Sequence, residues 1–176
     1  DPEEKIGLMV AEWGTWYDPT PGTNAAFLQQ ENTLRDALVA ASNFHIFHRH
    51  AGRVQMANIA QMVNVLQAMI LTDGPRMVLT PTYHAFMMYR PFQGAEALPV
   101  TVETPAYAAA GSSTPAVDVS AARGEDGALH VALINVDPDE AAEAALEIGG
   151  VSGGAIEGQV LTAARMDARN SFDDGD

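Results

Sequence analysis

Cysteine is absent from this 176-residue chain, which excludes disulfides, thiolate metal sites and a cysteine nucleophile. Basic residues are scarce: 9 Lys and Arg stand against 23 Asp and Glu, a formal charge of −14. A surface of that sign repels nucleic-acid phosphates and anionic membranes, so neither is expected as a partner. No uninterrupted apolar run reaches the ~18 residues that a membrane span needs. "DPEEK" at the start is no signal peptide, and with zero cysteine this fits a cytoplasmic protein. Aromatic residues thin out after Leu98, leaving Tyr107 and Phe172. What remains is ordinary for a globular chain, with 47% apolar and 18% charged residues.

The first half has β/α grammar. "IGLMVAE", Ile6 to Glu12, is a continuous apolar run, the pattern of a strand covered on both faces in a parallel sheet. "DPTPGTN", Asp18 to Asn24, reads as a loop. From Ala25 to Phe47 a helix is expected, with Leu34, Ala37, Leu38 and Ala41 on one apolar face. The charge-free stretch Gln55 to Leu71 is expected to be a second, buried helix, stopped by Gly74 and Pro75. "RMVLTPTYHAF" then reads as another apolar strand running into a loop. Two such strands cannot bury themselves without parallel neighbours on both edges, so the sequence reads as incomplete.

After Leu98 the grammar changes to short, partly alternating runs: "TVETPAYA", "AVDVSAA", "ALHVALINV", "AALEIGGV" and "IEGQVLTAA". Ala116–Ala122 and Ala128–Val136 are expected to pair as a hairpin around "RGEDG". This predicts an antiparallel β-sandwich domain over residues 98–176, following a β/α portion over residues 1–97. The acidic tail "DARNSFDDGD" is expected to be loose.

The residue that invites a chemical reading is Glu12, in "AEWGTWYD". In (β/α)8 barrels active sites lie at the C-terminal ends of the strands. A retaining glycosidase needs a carboxylate nucleophile there, with a second carboxyl about 5–5.5 Å away. Trp13, Trp16 and Tyr17 supply flat faces of the kind on which sugar C–H groups stack. From the pattern alone Glu12 is equally a solvated strand end. "HIFHRH" carries His45, His48 and His50, but they do not share one helical face and no carboxylate lies within a turn, so packing or a polar helix end is expected. Met56, Met62 and Met69 read as core, and "GGVSGG" opens no helix, so no phosphate loop is expected.

"GLMVAEWGTWYD", "PGTN", the long run from "QQENTLRDALVAASNF" to "LQAMILTDG", and "MVLTPTYHAFMMYRPFQGA" together resemble glycoside hydrolase family 51, for the most part α-L-arabinofuranosidases. The resemblance is nearly gapless from Lys5 to Val100 and weaker beyond. It implies the C-terminal portion of a (β/α)8 barrel followed by an antiparallel β-sandwich, with Ile6–Glu12 as strand seven and Met77–Thr82 as strand eight. It implies further that Glu12 is the nucleophile and that Trp16 and Gln61 contact the sugar. His84, just past the expected strand eight, is placed near the barrel mouth. The family's acid/base glutamate has no counterpart in this chain, and Ala11 stands where the family commonly has an acid.

The implied function is part of a retaining α-L-arabinofuranosidase acting on arabinose-containing oligo- or polysaccharides, without metal or organic cofactor. The missing N-terminal barrel portion would be its partner, and the complete protein is expected to be a homo-oligomer. Two alternatives stay open at this point. One is the same barrel acting on xylosides or β-glucans; the other is a non-catalytic carbohydrate-binding module resting on the β-segment.

Overall fold

The computed structural model describes Glu3, residues 5–150 and residues 154–173. Strand β1 (Leu8–Trp13) pairs in parallel with β2 (Val54–Ile59), and helix α1 (Leu34–Arg49) lies between them in sequence. β3 (Ile70–Asp73) and β4 (Arg76–Leu79) form an antiparallel hairpin, followed at once by α2 (Pro81–Tyr89). Beyond it come β5 (Glu96–Leu98), the hairpin of β6 (Ala106–Ala109) and β7 (Ser112–Pro115), β8 (Val117–Arg123) and β9 (Leu129–Asn135). β5, β8 and β9 make one antiparallel sheet in that order.

Several expectations hold. The strand expected over Ile6–Glu12 appears as β1, and the expected hairpin around "RGEDG" is β8 and β9, paired from Val117↔Asn135 to Arg123↔Leu129. Leu34, Ala37 and Ala41 are buried along α1, as the spacing predicts. α1 itself begins later than expected. Ala25–Phe27 is a 3-10 turn ended by Leu28 at φ 51°, and the chain runs extended to Thr33 before the helix starts.

The expected helix over Gln55–Leu71 does not form. Val54–Ile59 is strand, the stretch to Met69 is irregular, and Ile70 opens β3. Absence of charge marks burial but carries no period, and a short apolar run is equally a strand. Asn64 at φ 61° and Leu66 at φ 52° then break any helix. Met56 and Met62, expected in a core, are exposed. Gly74, at φ 56°, serves the tight turn between β3 and β4 instead of stopping a helix.

Met77–Thr82 is likewise not a parallel neighbour of β1. Its first half is β4, antiparallel to β3, and Pro81 sits at the first position of α2, where its missing N–H costs nothing. The parallel neighbour of β1 is β2. "AALEIGGV" and "IEGQVLTAA" carry no strand among the described residues, and Val151 to Gly153 of "GGVSGG" lie outside them.

The tail, expected to be loose, is docked as far as it is described. The Met166 and Ala168 carbonyls accept from the Arg35 and Leu34 N–H groups at 3.1 and 2.9 Å, and Arg169 pairs with Glu31. These bonds satisfy first-turn donors of α1 that have no partner within the helix. Asp174 to Asp176 lie outside the described residues.

α1 is the hub of the packing. Leu34, Ala37, Ala40 and Ala85 form one core cluster, with Trp13, Leu161 and Met166 against it. Ala41, Tyr89 and Ile134 form a second, and Phe44 touches both. Alanines at the helix contact let α1 and α2 approach closely, and the rings of Trp13, Phe44 and Phe86 fill the space beside them.

Candidate active site

The C-terminal ends of β1 and β2 lie side by side. Ala60 N–H donates to the Trp13 carbonyl at 2.8 Å, so residues leaving one strand meet those leaving the other. Between the pairs Val10↔Ala57 and Trp13↔Ile59, β1 has one residue more than β2. Such an irregularity twists the strand locally and re-aims side chains. Ala11 and Glu12 are both exposed here, while Trp13 turns inward.

Trp13 is therefore not a sugar platform. Its ring lies 5.6, 5.5 and 6.0 Å from Phe44, Phe47 and Phe86, as part of the core. Tyr17 is covered by the Arg35 guanidinium, 3.8 Å from the ring centre. Trp16 keeps its ring in solvent, 69% exposed. Of the three aromatics after Glu12, Trp16 has the free face that stacking requires.

The turn that carries Trp16 is held by buried polar side chains. Gln67 Oε1 accepts from Thr15 N–H at 2.9 Å, and Gln30 Oε1 accepts from Tyr17 N–H at 3.0 Å. Thr15 Oγ1 donates to Asp36 Oδ1 at 2.7 Å and accepts from Gln30 Nε2 at 3.0 Å. Asp36 Oδ2 accepts from Thr33 N–H and hydroxyl at 2.8 and 3.0 Å, closing a capping box on α1. Gln67 Nε2 donates to the Asp36 carbonyl and to Thr82 Oγ1. Sequence reasoning missed Gln30, Asp36 and Gln67. The one available signal was the spacing Thr33-Leu-Arg-Asp36, a helix-start motif.

Gln61 lies two residues past the end of β2, across a cis Ala60–Gln61 peptide, and is exposed. It lines a groove of about 520 Å³ with Phe27, Leu28, Asn64 and Phe172. Glu12 near the end of β1, and Trp16 and Gln61 in the segments that leave β1 and β2, thus lie toward the same ends of two adjacent strands. His84 is half-buried within α2, just past β4, its backbone N–H donating to the Thr80 carbonyl, with Tyr83 edge-on to its ring at 5.6 Å.

The histidines of "HIFHRH" join α1 to the antiparallel sheet. His45 is fully buried; its Nδ1 lies 3.1 Å from Asp118 Oδ2 and its Nε2 2.6 Å from the Tyr89 hydroxyl. A carboxylate only accepts, so Nδ1 carries the proton and the Tyr89 hydroxyl donates to Nε2. Arg49 donates to both Asp118 oxygens at 3.0 Å, and His48 Nδ1 lies 2.7 Å from Ser120 Oγ. Burial opposes protonation of His45 and holds it below its usual range, although Asp118 pulls the other way. Burial and the neighbouring His45 and Arg49 charges push His48 down to about 4. Burial, with the Asp118 charge, raises the Tyr89 phenol. No group of three or more metal-ligating side chains occurs among the described residues.

Residues 11–176 match the sequence model of the family described as α-L-arabinofuranosidase C-terminal domain. A relative named intracellular exo-α-L-arabinofuranosidase, from Bacteroides ovatus, is 45% identical over 98% of this chain. The crystal structure of the GH51 arabinofuranosidase from Xanthomonas axonopodis pv. citri is 54% identical and superposes with a TM-score of 0.95 over 98% of this chain. An α-L-arabinofuranosidase from Thermotoga maritima, solved as an arabinose complex, shares the fold at 23% identity with a TM-score of 0.65 over 80% of the chain. The chain spans about a third of each of these proteins, 34%, 35% and 31% of their lengths in that order. By its sequence and its fold, the chain belongs to the α-L-arabinofuranosidase C-terminal domain family of the arabinofuranosidases.

Proposed function

We propose that this chain is the C-terminal part of a retaining α-L-arabinofuranosidase and carries its nucleophile, Glu12. The observation that carries the reading is the fate of "EWGTW": Glu12 and Trp16 face solvent at the end of a parallel strand, while buried side chains hold the turn between them. In this reading β1 and β2 are the last two strands of a (β/α)8 barrel, and the antiparallel strands after residue 97 are a sandwich domain. The remaining barrel strands belong to the two thirds of the relatives' length that this chain does not span. The apolar side chains of Leu8, Met9 and Met56, exposed here, are the surface those strands cover.

Glu12 attacks the anomeric carbon of a terminal arabinofuranosyl group, and the aglycone oxygen leaves with a proton from a second carboxyl group. Water then displaces Glu12 with that second group as base, so two inversions give net retention. Trp16 offers its face to the sugar, and Gln61 offers amide hydrogen bonds from the end of the neighbouring strand. The intracellular setting of the Bacteroides ovatus relative is proposed for this protein as well.

Glu12→Ala in the full-length enzyme tests the reading. A kcat loss of at least ~10³-fold is expected on an aryl α-L-arabinofuranoside, as for removal of a covalent nucleophile. Proton NMR of the wild-type reaction is expected to show the α-anomer forming first. Undiminished turnover in Glu12→Ala would sink the assignment.

A further inference from the structure

Side chains from two distant segments grip the peptide units on either side of Trp16. Gln67 takes the Thr15 N–H, Gln30 takes the Tyr17 N–H, and the Thr15 hydroxyl sits between Gln30 and Asp36. Gln30, Asp36 and Gln67 are 3%, 0% and 0% exposed, so these bonds form away from competing water. Two of the three are tied to a further element. Asp36 caps α1, and Gln67 reaches Thr82 on α2. The turn is thereby registered against both helices at once.

Gly14 adds a second constraint. It lies at φ 148°, and a Cβ there would stand 3.2 Å from both the Ala60 carbonyl oxygen and Gln67 Oε1. Glycine thus lets the chain between Glu12 and Trp16 pass close against the Ala60 carbonyl and Gln67.

We propose that Thr15, clasped by Gln30, Asp36 and Gln67, is a positioning residue that fixes Trp16 relative to Glu12 and so sets the rate of glycosyl transfer. The inference rests on the reading of Glu12 as nucleophile. None of the four residues touches the sugar; they act through the two that do. Displacement of a reacting group by about 1 Å can cost ~10²-fold in rate, and the Thr15 hydroxyl bridges Asp36 and Gln30.

The test is Thr15→Val beside Thr15→Ser, in the full-length enzyme. Valine keeps the volume and removes the hydroxyl; serine keeps the hydroxyl. On an aryl α-L-arabinofuranoside, Thr15→Val is expected to lower kcat by ~10–10²-fold, with folding verified by circular dichroism and Tm. Thr15→Ser is expected to restore kcat to within about threefold of wild type, since it keeps both hydrogen bonds.

Equal kcat in the two folded variants, whether both are impaired or both normal, overturns the inference. If Thr15→Val does not fold, Gln30→Met takes its place. Failure of both to fold while Thr15→Ser folds also overturns it, because the clasp is then structural only. Glu12→Ala in parallel separates the two ideas. An active Glu12→Ala removes the nucleophile reading itself; an inactive one beside a fully active Thr15→Val removes only the clasp.

Discussion

Four consecutive residues after Ala11 meet four different fates. Glu12 stands in solvent, Trp13 is half-buried and packed among phenylalanines, Gly14 passes close to the Ala60 carbonyl, and Thr15 is taken into a polar network. The tightest of these is Gly14. Alanine there meets a left-handed backbone and two oxygens at 3.2 Å, so Gly14→Ala is expected to destabilise by ~1–3 kcal/mol. Thermal or urea unfolding reads this directly, and an unchanged stability would show that the turn relaxes freely. At this scale the sequence was partly legible. An apolar run ending in Glu and Trp told where the strand ends, but not that Trp13 turns in and Trp16 out. That choice depends on the extra residue in β1 relative to β2, a property of pairing between segments more than forty residues apart.

Among the elements, α1 joins two junctions. Its first turn meets the Trp16 turn through Asp36, and its last turns meet β8 through His45, His48 and Arg49. The groups facing this second junction are Asp118 and Ser120 from β8, Tyr89 from α2, and Phe92 stacked 4.9 Å from His48.

His48 titrates near 4 in the fold against 6.5 when free. Between those values the unfolded chain binds more protons, so stability falls as pH drops from about 6.5 to about 4 and levels off below. His45 is shifted in the same direction. Asp118 is net lowered, its own burial being outweighed by Arg49 and His45, so its contribution is lost only at lower pH still. Tm measured between pH 7.5 and 4.5 is expected to fall with acidification, and His48→Gln to flatten that slope. A Tm independent of pH in wild type would contradict the arrangement.

The elements were legible in kind wherever a period was present, as in α1 and the β8–β9 hairpin. Gln55–Leu71 was misread because burial without a period does not distinguish strand from helix. The packing role expected for the histidine cluster fits the buried His45, but its partners were not legible, since Asp118 and Ser120 lie more than seventy residues further on.

For the molecule as a whole, the strand pair β1–β2 is the exposed flank. Ile6, Leu8, Met9 and Met56 stand in solvent there, and Met9 is 67% exposed. Strand edges flanked by apolar side chains recruit other chains. The 18.7 kDa chain expressed alone is therefore expected to self-associate, with light scattering giving a mass above 18.7 kDa that rises with concentration. Met9→Lys with Met56→Lys is expected to lower that mass. A strictly monomeric wild-type chain would show the flank to be harmless. At this scale the sequence was half legible: of the two parallel strands expected, Ile6–Glu12 is β1, while Met77–Thr82 is not its parallel neighbour and β2, read as helix, takes that place.

The docked tail sets an order in time. Leu34 and Arg35 find their acceptors at Ala168 and Met166, and Glu31 finds Arg169 at a sequence separation of 138. Ribosomes extend chains at about 5–20 residues per second. The start of α1 therefore leaves the ribosome roughly ten seconds before the segment that satisfies it. Asp36 lies in that same first turn and holds Thr15, so the turn between Glu12 and Trp16 is fully fixed only after a segment made much later has arrived.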